Sequence, residues 1–181
     1  MIRGSEGAAT PRGRGRGHAP LRLRAALASL AFTVPVLLGA GPGGSGETIP
    51  LAGQEPGERL DVTLTQVVDP ASPAGPAEAA ATKVDDRLVA VRFRLENTGT
   101  AVYQDSPAAS AHLLDTAGQR FAGLNTATTA GASFPDTVTL DPGGTAEGFV
   151  TFELPRDAGL AAVQFALNGG LADDVGQWSL S

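Results

Sequence analysis

Few residues in this sequence belong to the types that bind transition metals or act as nucleophiles. The chain has two histidines, His18 and His112, one methionine, Met1, and no cysteine. Copper and zinc sites need several His, Cys or Met ligands, so these counts argue against a soft-metal site. The lack of cysteine also excludes disulfide bonds and a cysteine nucleophile.

Calcium needs only oxygen ligands, and three groups of acidic residues fall in predicted loops. These groups are Asp85 with Asp86, Asp136 with Asp141, and Asp173 with Asp174. None has the spacing of a known calcium-binding loop, and aspartate is common in turns because its side chain bonds nearby backbone N–H groups. We therefore predict solvated turn residues and no cofactor, with calcium as the open alternative.

Neither of the common hydrolytic arrangements is supported by the sequence. Glu147 and Glu153 lie on the same side of one predicted strand, which separates them by roughly 20 Å. A glycosidase needs its two carboxylates about 5–10 Å apart. A serine triad would have only His112 as its base, and the sequence has no Gly-x-Ser-x-Gly motif. We therefore do not predict an enzyme.

Arg92, Arg94 and Glu96 form a charged stripe along one side of a predicted strand. The simplest interpretation is a solvated outer face, and the alternative is a docking surface for an acidic or carbohydrate partner. Phe149 also points outward on a later strand, and exposed apolar residues often mark a partner site. The alternative is that residues 70–85 or the C-terminal tail pack over Phe149 and shield it from solvent. We take these four residues as a candidate interaction surface.

The strand that carries this stripe organises the rest of the chain. Within residues 86–99, one side is apolar and the other is mostly charged, which is the period of two that predicts a half-buried strand. The apolar side consists of Val89, Val91, Phe93 and Leu95. Further strands are predicted at 58–69, 110–115, 119–122, 137–140, 145–155 and 160–167. About seven short strands separated by turn clusters predict an immunoglobulin-like antiparallel β-sandwich over residues 58–181.

Aromatic residues are few, so those on the inward sides of these strands should supply much of the burial. They are Phe93, Phe152 and Phe165, and Trp178 in the tail is expected to close one end of the core. A helix over 77–82 is conceivable, but the prolines around it favour a loop.

Residues 1–40 have the pattern of a secretory signal peptide with a long basic N-terminal region. An apolar run over 25–40 follows the arginines and ends in small residues, which predicts cleavage between Ala40 and Gly41. The alternative is an uncleaved membrane anchor, although this run is shorter than the roughly 20 residues that a span needs. No cysteine follows the run, so a lipid anchor is excluded. Residues 41–57 are rich in Gly and Pro and are expected to be a flexible linker.

The charge distribution argues against nucleic acid as a partner. The net charge is −6, although residues 1–24 alone carry six arginines against one glutamate. The predicted domain is therefore strongly acidic and repels phosphate backbones.

Three stretches resemble a telokin-like, immunoglobulin-like domain of unknown function that occurs in secreted proteins and lipoproteins of actinobacteria and firmicutes. They are residues 89–99, which end in Asn-Thr-Gly, residues 113–121 with their Leu-Leu-Asp and Gly, and residues 140–155, which run from Leu-Asp-Pro-Gly-Gly to Pro. The resemblance implies an extracytoplasmic sandwich, related in fold to a mycobacterial secreted antigen family, with no established activity.

Together these observations predict a secreted, non-catalytic interaction or binding module at the cell exterior. Its partner would be an extracellular protein or a component of the cell envelope, and the membrane is involved only if the signal stays uncleaved. The alternatives are a small extracellular hydrolase or other enzyme, and a purely structural, antigen-like secreted domain.

Overall fold

The fold was determined as a computed structural model, which describes residues 46–180. This part of the chain contains ten strands and three short helices. The strands are β1 (Thr48–Ala52), β2 (Arg59–Ala71), β3 (Asp86–Asn97), β4 (Tyr103–Asp105), β5 (Ala111–Asp115), β6 (Arg120–Ala122), β7 (Val138–Leu140), β8 (Thr145–Pro155), β9 (Leu160–Ala166) and β10 (Val175–Ser179). The helices are α1 (Pro76–Ala81), α2 (Pro107–Ser110) and α3 (Leu167–Gly170).

Two four-stranded antiparallel sheets form the two layers of the fold. The first sheet has the order β1-β2-β3-β8, and the second has the order β10-β9-β5-β6. Strands β4 and β7 form a separate antiparallel pair. The predicted immunoglobulin-like β-sandwich is therefore confirmed, with ten strands among residues 46–180 instead of about seven.

The core lies between the inner sides of the two sheets, as the alternation in β3 predicts. Val89, Val91, Phe93 and Leu95 are all fully buried there. The Phe93 ring meets Phe165 of the second sheet edge-on, with ring centroids 5.4 Å apart, and meets Trp178 in the same manner at 5.8 Å. Edge-to-face pairs of this kind add to the stabilisation that burial of the rings provides.

The prediction of a flexible linker over residues 41–57 is wrong for 48–52, which form β1 and pair with β2. Leu51 is buried in the core, and Ile49 packs against it. Pro50 lies between them. An edge strand accepts proline, because the N–H groups on the outer side of its backbone have no neighbouring strand to pair with. The sandwich therefore begins before residue 58.

The C-terminal tail also contributes more than predicted, since residues 175–179 form β10. Trp178 is 1% exposed, which confirms that it closes the core. Its indole N–H donates to the carbonyl oxygen of Glu47 at 3.0 Å and so ties the tail to the segment before β1.

Residues 76–81 form the helix α1, so the expectation of a loop is wrong there. Pro76 occupies the first turn, where its missing N–H costs nothing, and the alanines that follow are the strongest helix formers. No helix within residues 46–180 is long and apolar enough to cross a membrane. The predicted signal peptide, with cleavage between Ala40 and Gly41, lies outside the described residues.

Candidate functional site

The four residues of the predicted interaction surface all lie on the outer face of the first sheet. Alternation along β3 places Arg92, Arg94 and Glu96 on this face. The register between β3 and β8 then sets Glu147 opposite Arg94 and Phe149 opposite Arg92. The structure thus brings the four predicted residues together, but three of them are partly exposed to solvent and Phe149 is buried.

Phe149 is only 5% exposed, so the expectation that it contributes an exposed apolar contact is wrong. It packs in a second, smaller apolar cluster with Ala71, Leu88 and Ala90. The covering segment that runs against this part of β8 is 130–134. Of the two covers considered from the sequence, residues 70–85 contribute Ala71 to the cluster, whereas no described residue of the C-terminal tail belongs to it.

Backbone hydrogen bonds hold this covering segment to β8. The N–H of Phe149 donates to the carbonyl oxygen of Ala132 at 3.0 Å, and the N–H of Phe134 donates to that of Phe149 at 3.1 Å. Gly131 lies directly against the ring, because a Cβ atom at that position would come within 2.6 Å of its Cε2. The first sheet is therefore covered at one end of its outer face and open at the other.

At the open end, each arginine of the stripe has a carboxylate partner. Arg92 Nη2 lies 2.6 Å from Oε2 of Glu147, and Arg94 Nη2 lies 3.7 Å from Oε2 of Glu96. All four side chains are between 42% and 48% exposed, so these ion pairs contribute at most about 1 kcal/mol each to stability. Their main effect is to neutralise the guanidinium groups and fix where they point.

Around these ion pairs lies a shallow depression of about 500 Å³. We call the depression together with Arg92 the polar face. Its lining residues are Thr48, Asp61, Thr63, Thr65, Arg94, Glu96 and Glu147. Alternation along the predicted strand 58–69 already places Asp61, Thr63 and Thr65 on one side, whereas Thr48 was missed because it falls in the predicted linker.

The polar face is rich in hydrogen-bonding groups and carries no excess of positive charge. The hydroxyl oxygens of Thr48 and Thr63 are 2.7 Å apart, and the Thr65 hydroxyl donates to the carbonyl oxygen of Arg92 at 3.1 Å. Three carboxylates accompany two guanidiniums, which removes the electrostatic basis for attracting an acidic partner. The arrangement suits a partner that presents neutral polar groups.

A second depression, of about 400 Å³, lies beside α1 and the start of β3. Among its charged lining residues, Arg87 makes the most hydrogen bonds. Arg87 Nε donates to Oδ1 of Asp69 at 2.7 Å, and its other nitrogens donate to three carbonyl oxygens. These belong to Pro155, Arg156 and Ala158. Hydrogen bonding to the Asp69 carboxylate raises the pKa of Arg87. The guanidinium thus links β3 to β2 and to the turn after β8, and its hydrogen bonds are used within the fold.

The other groups with shifted pKa values lie elsewhere in the fold. Burial raises the pKa of the Tyr103 phenol on β4, and the Asp105 carboxylate adds to this shift. Burial also lowers the pKa of His112 on β5, and the charge of Arg120 lowers it further. These three groups belong to the strands β3, β4 and β5.

Among residues 46–180, no group of three or more His, Asp and Glu side chains is placed to hold a metal ion. In each of the three acidic pairs considered for calcium, one carboxylate has another partner. Asp136 accepts a hydrogen bond from Asn125, Asp174 accepts one from the N–H of Ala52, and Asp86 pairs with Lys83.

Comparison with known proteins identifies one matching family and several solved structures with a similar fold. The family described as "Domain of unknown function (DUF4352)" matches residues 57–171. No curated protein is significantly similar in sequence.

Several solved structures are similar to this chain in fold, at low sequence identity. The secreted protein MPT63 from Mycobacterium tuberculosis has a TM-score of 0.52 and 16% identity, over 77% of this chain and 98% of that one. The yjhA protein from Bacillus subtilis has a TM-score of 0.50 and 17% identity, over 75% and 97%. The candidate lipoprotein ycdA from the same species has a TM-score of 0.54 and 11% identity, over 76% and 39%. At these identities the likeness concerns the β-sandwich alone.

Proposed function

The chain belongs to the family of domains of unknown function DUF4352, and from that premise we propose that it is a secreted, non-catalytic binding module of the cell exterior. The polar face is its contact surface. The partner is a component of the cell envelope that presents neutral polar groups, either on a protein or on a polymer.

The observation that carries this proposal is the open end of the first sheet. Four strands present threonine hydroxyls and ion-paired side chains side by side on a surface that the covering segment 130–134 leaves free. Pairing between Arg92 and Glu147 holds two long side chains in place, which lowers the conformational entropy lost when a partner binds. The same surface has no deep, water-excluding pocket in which a reaction would be sheltered.

The proposed location rests on the sequence and on the descriptions of two similar folds. Residues 1–40 have the pattern of a signal peptide, with predicted cleavage between Ala40 and Gly41. MPT63 is described as a secreted protein and ycdA as a candidate lipoprotein. Export of this chain and its closer kinship to the telokin-like domains of actinobacteria are part of the proposal.

Retention by cell envelopes tests the proposed contact surface. The chain is mixed with washed envelopes of the producing organism, sedimented, and quantified in the pellet. Arg94→Ala removes a guanidinium from the centre of the polar face, and we expect binding about tenfold weaker, as for loss of one well-placed contact.

Arg120→Ala is the matched control, because Arg120 is an exposed arginine at the edge of the opposite sheet. We expect it to bind envelopes as the unmodified chain does. Failure of the envelopes to retain the unmodified chain, or equal losses in the two variants, would exclude the polar face as the contact surface.

A further inference from the structure

Strand β10 is an edge of the second sheet, and within residues 46–180 one side of its backbone has no hydrogen-bond partner. Its ladder with β9 includes the bond from the N–H of Leu180 to the carbonyl oxygen of Ala161 at 2.9 Å. Because bonded residues alternate in an antiparallel ladder, Gly176 and Trp178 also face β9. Val175, Gln177 and Ser179 therefore direct their N–H and C=O groups away from the sheet, and no backbone bond from another described residue reaches them.

The other edges of the two sheets are protected. On β8, Leu124 and Thr151 exchange two backbone bonds, of 2.7 and 3.2 Å, and residues 132–134 cover the positions before them. On β1, Pro50 lacks an N–H, and the Asp174 carboxylate accepts the N–H of Ala52. Strand β6 is only three residues long and carries Arg120. Proteins block sheet edges in these ways to prevent pairing with another chain, and β10 has none of these features.

The side chains along this edge are uncharged, in a domain that is otherwise strongly acidic. Residues 175–179 read Val-Gly-Gln-Trp-Ser, and the neighbouring edge strand β1 reads Thr-Ile-Pro-Leu-Ala. A two-fold axis at Gln177 would pair this residue with its own copy and Val175 with Ser179, so no like charges would meet. Asp173 and Asp174 would lie outside the paired residues. The edge is thus complementary to itself.

We propose that β10 pairs antiparallel with β10 of a second copy of this chain. The two second sheets then join into one continuous sheet of eight strands around a two-fold axis, the commonest symmetry of soluble dimers. This self-association goes beyond the proposed function, because it uses a different sheet from the polar face.

Disulfide cross-linking of the full chain tests both the contact and its register, since the sequence has no cysteine of its own. In Gln177→Cys, the two-fold axis would place the paired Cα atoms about 5.5 Å apart, which a disulfide spans. We expect cross-linking at least about tenfold faster than in Gln104→Cys, an exposed position on β4, because pairing raises the effective thiol concentration.

The register predicts a second pattern. Val175→Cys alone should cross-link slowly, because its two copies would lie roughly 14 Å apart, and so should Ser179→Cys alone. A mixture of the two variants should cross-link rapidly. Gln177→Lys should shift the chain to monomer in sedimentation, since two like charges would then face each other.

The proposal is overturned if Gln177→Cys cross-links no faster than Gln104→Cys. It is also overturned if Val175→Cys alone reacts as fast as the mixture, or if the unmodified chain sediments as a monomer at every concentration.

Discussion

Phe152→Ala is expected to lower the free energy of unfolding by about 3–5 kcal/mol, the usual cost of emptying a buried aromatic site. Phe152 is fully buried on the inner side of β8, opposite Val89 of β3 in the first sheet. Both sheets contribute side chains to this core, so the surrounding backbone cannot collapse into the space that the ring leaves. Urea denaturation followed by circular dichroism measures the change.

Glu147→Ala is the control for this substitution, because Glu147 lies five residues earlier on the outer side of the same strand. Its ion pair with Arg92 is exposed, so its loss should cost no more than about 1 kcal/mol. If the two variants are equally stable, the inward and outward sides of β8 have been assigned wrongly.

Asn97→Asp is the second substitution with a large expected effect, again a loss of about 3–5 kcal/mol. Asn97 is 1% exposed, and its Nδ2 donates to the carbonyl oxygens of Ala101 and Leu140, each at 2.9 Å. Its Oδ1 accepts the N–H of Gly99 at 3.0 Å. An aspartate of the same shape has no donor, so a buried carboxylate would face two carbonyl oxygens.

The loss in free energy of unfolding caused by Asn97→Asp should be smaller at acid pH. This environment would raise the pKa of the new carboxyl group in the folded state, so the penalty is largest at neutral pH and decreases as the group becomes protonated. A protonated carboxyl also regains one donor. The urea midpoints of the variant and the unmodified chain are compared at about pH 7 and about pH 4. An ordinary aspartate has a pKa of about 3.9, so a carboxyl group with a raised pKa is mostly protonated at about pH 4.

Thr98→Ala separates the role of Asn97 from any general sensitivity of the turn. The Thr98 hydroxyl is exposed and donates only to Asp61, so its removal should change stability by no more than about 0.5 kcal/mol. An Asn97→Asp variant as stable as Thr98→Ala would contradict the proposed role of Asn97.

The long strands were predictable because both sides of their sequence carry a signal. In β3 and β8, apolar residues face a core and polar residues face outward, and the turn residues after each strand fix its end. The short strands β1, β4 and β10 lack this contrast. Ile49 and Leu51 flank a proline, and their burial depends on a core that distant parts of the chain build, so local sequence does not reveal it.

The candidate site was predictable only in part for a similar reason. Alternation places Arg92, Arg94 and Glu96 on an outer face, and this is where the structure has them. It cannot show that Phe149 is covered, because the covering segment 130–134 begins with four small residues, Ala-Gly-Ala-Ser, which carry no strand or helix period. Nor can it show which carboxylate each arginine meets, since that depends on the register between strands.

Export is the premise on which a role at the cell exterior depends, and the N-terminus of the protein as its host produces it tests this most directly. Culture supernatant and membranes are separated, and the chain recovered from each is examined by intact mass and N-terminal sequencing. We expect a supernatant species that begins at or near Gly41. A full-length chain found only in membranes would contradict secretion and make residues 25–40 an anchor.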